Sequence, residues 1–163
     1  MKGQTRSSSF SEKVILYHLD QCDPKKCTAR KLARLARGRV VDKLYRVPYN
    51  SIVLNPFSNE FLTARDRDII ESGYLVAVDC SWEVAQAVFG RISLKCRAKR
   101  QLPWLVAANP VNYGHIGKLS SAEAIAAALF ITSFRKEAEY ILSAFKWGLH
   151  FLEINREPLE EYA

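Results

Sequence analysis

The sequence contains no apolar run long enough to cross a bilayer. Its longest, YLVAV at 74–78 and AIAAALFI at 124–131, fall well short of the roughly 20 residues that a spanning helix needs. The first thirteen residues, MKGQTRSSSFSEK, lack the apolar centre of a secretory signal and read as a frayed start. A secreted or membrane-embedded protein is therefore not expected, and a cytoplasmic one is. Cysteine is scarce as well: four in 163 residues, at 22, 27, 80 and 96, far below a disulfide scaffold. Cys22 and Cys27 are spaced loosely for zinc, Cys80 and Cys96 form no second tight pair, and the nearby His18 sits in an apolar run. Packed, reduced thiols and no metal site are expected. Glycine-rich phosphate loops are missing too. No G-x-G-x-x-G follows a strand and no G-x-x-x-x-G-K-[ST] occurs, so neither a dinucleotide fold nor a P-loop is supported. No G-x-S-x-G elbow or H-E-x-x-H is present, and three histidines, at 18, 115 and 150, leave little room for a triad.

What is present is an ordinary globular chain with an uneven charge. Hydrophobic residues make up 48%, too many for a disordered protein. A chain of this length buries roughly 68–70% of its unfolded surface, so one core suffices without staples. The net charge is +7, and it is gathered rather than spread. Residues 1–50 carry +8, residues 51–90 carry −4, residues 91–103 carry +5 and the remainder carries −2. Two basic blocks of this kind suit a surface that tracks phosphates, although solvated faces alone produce the same pattern.

Four short apolar runs, VILYHLD (14–20), SIVLNP (51–56), YLVAVDC (74–80) and PWLVAANP (103–110), do not alternate. Such runs suit strands covered on both faces, as in a parallel sheet. Between them the sequence predicts helices over 28–38, 62–73 and 81–92, the first with Thr28 as N-cap and Gly38 past its end. Strand–helix alternation gives an α/β fold with right-handed crossovers. From 120 onward the pattern turns helical, opened by a capping box of Ser120 and Glu123 and continued over 134–145 and 147–155. That tail either packs on the sheet or forms a small bundle. The division expected is a frayed 1–13, a sheet portion at 14–110 with a basic N-terminal helix, and a loop and helical portion at 111–163.

Each apolar run ends in a polar residue: Asp20, Asn55, Asp79 and Asn109. Ligands of open parallel sheets bind outside the carboxyl ends of the strands, which makes these four candidates; polar residues also simply terminate strands. Carboxylate chemistry falls to Asp79 or Asp20.

The strings DQCDPKKCTARKLARL (20–35), SIVLNP (51–56), VAVDCSW (76–82), LPWLVAANPVNYG (102–114), KLSSAEAIAAAL (118–129) and FKWGLHFLEIN (145–155) occur in this order. With them the chain resembles, from about 15 to 162, the small-subunit (18S/16S) rRNA aminocarboxypropyltransferase family of ribosome biogenesis. The resemblance implies a SPOUT-like α/β fold with a deep trefoil knot. It also implies transfer of the 3-amino-3-carboxypropyl (acp) group of S-adenosylmethionine to N3 of a hypermodified uridine in small-subunit rRNA, usually a pseudouridine already methylated at N1, with methylthioadenosine released.

Carried over by position, the resemblance assigns Thr28 to the amino-acid tail of the cofactor. Leu54, Pro56, Trp82 and Ala85 would enclose the methyl and sulfonium end. Asp79 would reach the ribose and is the one candidate for a catalytic base. Leu102, Gly117 and Leu119 would cover the adenine, and Ser121 would meet the tail carboxylate. Lys26, Lys31 and Arg100 would meet RNA phosphates, and no metal is implied. One departure stands out: after NYG the family pattern of glycine–x–proline–aromatic is replaced by His115, Ile116 and Gly117, which keeps a backbone contact at 117 and removes side-chain packing. The partner implied is small-subunit rRNA or the pre-ribosomal subunit, met by a monomer and away from any membrane. Two other readings are a knotted S-adenosylmethionine-dependent RNA methyltransferase and a non-catalytic rRNA-binding assembly factor. The second lacks RRM aromatic strands or a KH GXXG loop to support it.

Overall fold

The computed structural model describes residues 10–21 and 23–163. Five strands make one all-parallel sheet: β1 Val14–His18, β2 Arg39–Val41, β3 Ser51–Leu54, β4 Tyr74–Asp79 and β5 Ala98–Arg100. Their order is β2-β1-β4-β3-β5, with Val14 opposite Leu75 and His18 opposite Asp79. The unbroken apolar runs follow from this placement. Val14, Leu16, Ile52, Leu54, Leu75 and Ala77 face one side, while Ile15, Val53 and Val76 face the other, and all are buried. Each fully buried Leu or Ile is worth about 1.5–3 kcal/mol, so both faces bind helices.

Among the described residues the helices that position the site are α1 Thr28–Arg34, α2 Arg67–Ser72, α3 Ala85–Lys95, α4 Ser121–Ile131, α5 Arg135–Leu142, α6 Gly148–Ile154 and α7 Arg156–Tyr162. α3 covers one face through Ala85, Phe89 and Ile92. The other face is covered by Leu32 of α1, Ile70 of α2 and the α4–α7 group through Ile125, Leu129, Phe151 and Leu159. The helical C-terminal region thus shares the core of the sheet rather than forming a bundle apart.

Several expectations need correction. PWLVAANP at 103–110 is not a strand. Leu105, Ala107 and Ala108 are buried, but their backbone is satisfied without a ladder. Val106 N–H donates to Asn155 Oδ1 (2.7 Å), Ala107 N–H to the His115 carbonyl (2.9 Å), and Ala108 N–H to Glu123 Oε2 (2.6 Å). Strands β2 and β5 were missed because each is three residues long and carries arginine at an edge of the sheet. Thr28 is the first residue of α1 rather than its cap, a position taken by Cys27. The helix ends at Arg34, ahead of Gly38, because Ala36 turns left-handed (φ 55°) and Arg37 N–H closes on the Leu32 carbonyl. The 62–73 helix begins as a 3₁₀ turn over Ala64–Asp66. α7 was unread because of Pro158, which sits in its first turn, where a missing N–H costs nothing. The Ser120–Glu123 capping box is formed. Most of the frayed start, residues 1–9, and Cys22 lie outside the described residues.

Candidate active site

Parallel pairing brings the carboxyl ends of all five strands to one edge of the sheet, and an open cleft of about 1160 Å³ lies there. That is room for a nucleoside-sized ligand with space left over. The buried side chains of Leu54, at the end of β3, and Ala85, at the start of α3, line it, with Pro56 and an exposed Trp82 beside them. The first turns of α1 and α4 also meet at this cleft. The Ala122 N–H of α4 donates to Thr28 Oγ1 at 3.1 Å, which leaves the Thr28 hydroxyl proton available to a ligand. Ser121 stands beside this junction, at the N-terminus of an 11-residue helix, where N–H groups and the helix dipole favour an anion. Leu102, Gly117 and Leu119 complete the wall. Gly117 adopts φ +76°, and a Cβ there would meet the Trp104 ring at 3.5 Å. The ring of Trp104 therefore borders the space that an aromatic at 117 would otherwise use.

Asp79 closes β4 and is the carboxylate placed at the centre of this edge. Its Oδ2 lies 3.2 Å from His18 Nε2 and accepts from the Cys27 thiol at 3.3 Å. Its neighbour Cys80 has its thiol pushed up, first by burial and then by the Asp79 charge, which keeps it protonated near neutral pH. The thiol of the buried Cys96 is likewise raised by burial.

A family described as "Ribosome biogenesis protein, C-terminal" matches residues 52–163. The 16S rRNA aminocarboxypropyltransferase of Methanosarcina mazei is 45% identical over 161 residues, covering 99% of this chain and 90% of that protein. The Methanopyrus kandleri protein of the same name is 49% identical over 149 residues, covering 91% and 88%. The chain belongs to the 16S rRNA aminocarboxypropyltransferase family. A solved structure, the SAM-dependent rRNA:acp-transferase Tsr3 from Vulcanisaeta distributa, superposes with a TM-score of 0.87 at 44% identity, covering 93% of this chain and 83% of that one. Residues 12–39 also match a possible Fer4-like domain of RNase L inhibitor. That segment holds two cysteines, Cys22 and Cys27, where an iron–sulfur cluster takes four.

All ten positions carried over from the family for the cofactor border the one cleft, as do Lys26 and Lys31. Arg100 does not. Its guanidinium is turned to Asp66 (3.2 Å) and Glu60 (3.2 Å), with the Asp66 side chain 8% exposed, so its charge is engaged in ion pairs away from the cleft. The other polar strand ends sort differently as well. Asp20 is exposed and paired with Arg30 outside the cleft. Asn55 and Asn109 do border the cleft, but their side chains are engaged in its loops: Asn55 accepts from Phe57 N–H and donates to Ser93, and Asn109 donates to Glu123 and accepts from Asn112 N–H. Reading the sequence missed Lys25, Arg34, Trp104, Phe145 and Trp147, which also line the cleft. Phe145 stacks on Trp147 at 4.8 Å and carries Lys31 Nζ 4.9 Å above its ring. It missed His18 and Cys27 because their partner, Asp79, is over fifty residues away from either.

Proposed function

We propose that this chain transfers the acp group of S-adenosylmethionine to N3 of an N1-methylpseudouridine in small-subunit rRNA and releases methylthioadenosine, as a step of ribosome biogenesis. The observation that carries this reading is the polarity of the cleft. One wall offers hydroxyls and a helix N-terminus, at Thr28 and Ser121, suited to an amino-acid tail. The same lining offers Leu54, Ala85 and Trp82, suited to a methyl group that must not react. The names of the relatives and of the solved neighbour point to the same donor and the same class of RNA.

The donor supplies a sulfonium that activates the acp methylene. Thr28 and Ser121 bind and orient the tail. Leu54, Ala85 and Trp82 cover the methyl and exclude water, and the Trp82 face adds a cation–π contact of about 0.5–2 kcal/mol. Orientation of this kind lowers a barrier by several kcal/mol. Leu102, Gly117 and Leu119 cover the adenine. Asp79 holds the ribose and stands as general base for the imide proton at N3, a role that typically contributes about 10²–10⁴-fold. Lys26 and Lys31 hold RNA phosphates at the rim.

The finer architecture belongs to the same proposal. The chain leaves β5 at one edge of the sheet, runs through 101–120 along the strand ends, and enters α4 against the central strands, a course that supports the SPOUT-like trefoil knot. The 14–110 sheet portion and the 111–163 knot-loop and helical portion work as one monomeric enzyme. Among the described residues no helix is long and apolar enough to cross a membrane, in keeping with a cytoplasmic enzyme.

The test uses donor labelled either at the methyl or at the carboxyl carbon, with an rRNA helix carrying N1-methylpseudouridine. Label is expected in RNA from the carboxyl position alone. Methyl label in the RNA makes the protein a methyltransferase. Label from neither, with the modified RNA present, leaves an rRNA-binding factor.

A further inference from the structure

His18 ends β1, Asp79 ends β4 directly opposite it, and Cys27 immediately precedes α1. Their polar atoms converge: His18 Nε2 is 3.2 Å from Asp79 Oδ2 and 3.3 Å from Cys27 Sγ, and Cys27 Sγ is 3.3 Å from the same Oδ2. His18 and Cys27 are buried, whereas Asp79 is partly open to the cleft. Three ligand atoms this close also describe a cation site. The tautomer of His18 argues against one. Asp20 N–H donates to Nδ1 at 3.0 Å, so in the neutral ring the proton sits on Nε2. A protonated Nε2 has no lone pair for a metal; it has a hydrogen to donate. The thiol of Cys27 is likewise a donor toward Asp79. Both therefore address one oxygen of the carboxylate, and no hydrogen bond to Oδ1 is found among the described residues.

We infer that His18 and Cys27 are positioning residues for Asp79: they fix Oδ2 from below, holding the carboxylate in one rotamer with Oδ1 presented to the ligand in the cleft. The inference rests on the reading that Asp79 meets the cofactor or the reacting nucleotide. The sheet register makes the device possible, because pairing of β1 with β4 sets His18 and Asp79 side by side at the strand ends.

The experiment is a double-mutant cycle on the full chain. Cys27→Ala, Cys27→Ser, His18→Leu and His18→Gln are made alone and with Asp79→Asn. Donor affinity is read by calorimetry, and single-turnover acp transfer is read at saturating donor and RNA. Cys27→Ala and His18→Leu are expected to lower whichever quantity Asp79→Asn lowers, by about tenfold. Cys27→Ser and His18→Gln, which keep a donor, restore it to within about threefold. In the Asp79→Asn background the same changes lose most of their effect, since their action runs through Asp79. Should His18→Leu not fold, the two Cys27 variants carry the test. The proposal fails alone if Asp79→Asn is damaging but the His18 and Cys27 effects persist undiminished beside it, or if stability falls while affinity and rate stay put. Stoichiometric zinc that is lost with His18→Gln also overturns it. If Asp79→Asn changes neither affinity nor rate, the underlying reading of Asp79 fails and takes the proposal with it.

Discussion

Glu123, fully buried in the first turn of α4, grips Asn109 twice: its Oε1 accepts from Asn109 Nδ2 at 2.6 Å and its Oε2 from Asn109 N–H at 3.2 Å. The same carboxylate accepts from Ala108 N–H (2.6 Å), Ser120 N–H (2.9 Å) and Ser120 Oγ (3.0 Å). One side chain thereby caps the helix and pins the loop that forms a wall of the cleft. Five donors offset the cost of burying a carboxylate that has no cationic partner among the described residues.

Glu123→Gln follows from that count. An amide presents N–H groups where the loop also presents N–H groups, so at least two buried donors lose their acceptor. Stability should fall by about 2–4 kcal/mol, measured by chemical denaturation. Because the loop carries Asn109 and leads to Gly117, donor affinity should fall with it. Unchanged denaturation would mean that water replaces the carboxylate in the loop.

Much of this arrangement was legible in the sequence, and its gaps have physical causes. The capping box was visible because Ser120 and Glu123 are three residues apart, a local signal. The second use of Glu123, on 108 and 109, was not, because it joins segments that no local pattern links. The run at 103–110 read as a strand since it is apolar and buried. Burial alone does not make a strand when side chains such as Glu123 and Asn155 satisfy the backbone instead. Arg100 is assigned to RNA phosphates by the motif resemblance; its ion pair with Asp66, 34 residues back, is one that no local pattern shows. The ten cofactor positions came from motif resemblance, which composition and periodicity do not supply. Their arrival in one cleft follows from parallel strands that end together.

Arg100 supplies a contrast with the cationic rim. Removing its side chain by Arg100→Ala leaves the buried Asp66 with its Thr63 N–H partner but without a counter-charge. A loss of about 2–3 kcal/mol in unfolding free energy is expected, with donor affinity nearly unchanged. A stable Arg100→Ala protein with weakened RNA binding would return this residue to the phosphate path.

Trp82 tests the apolar wall. It borders the cleft and is 68% exposed, so it costs the fold little and is available to a ligand. Trp82→Ala should weaken binding of S-adenosylmethionine at least tenfold, which corresponds to about 1.4 kcal/mol, at unchanged thermal stability. Calorimetry with equal affinities for both proteins would remove Trp82 from the pocket.

The basic rim predicts a salt dependence that separates its members from Arg100. Lys25, Lys26, Lys31 and Arg34 border the cleft on and just before α1, and Lys31 is steadied over the Phe145 ring. Each cation that neutralises a phosphate releases counterions, so binding of an rRNA helix should weaken steeply as salt rises. Lys26→Ala and Lys31→Ala together should lower the slope of log affinity against log salt by about two units on duplex RNA, and by somewhat less on single strands. Arg100→Ala should leave that slope as it is, because its charge is spent on Asp66 and Glu60. Titrations by fluorescence anisotropy at four or five salt concentrations resolve a difference of this size. An unaltered slope in the Lys26, Lys31 double variant would place the RNA on another face, with the second basic block at 91–99 the next surface to examine by the same measurement.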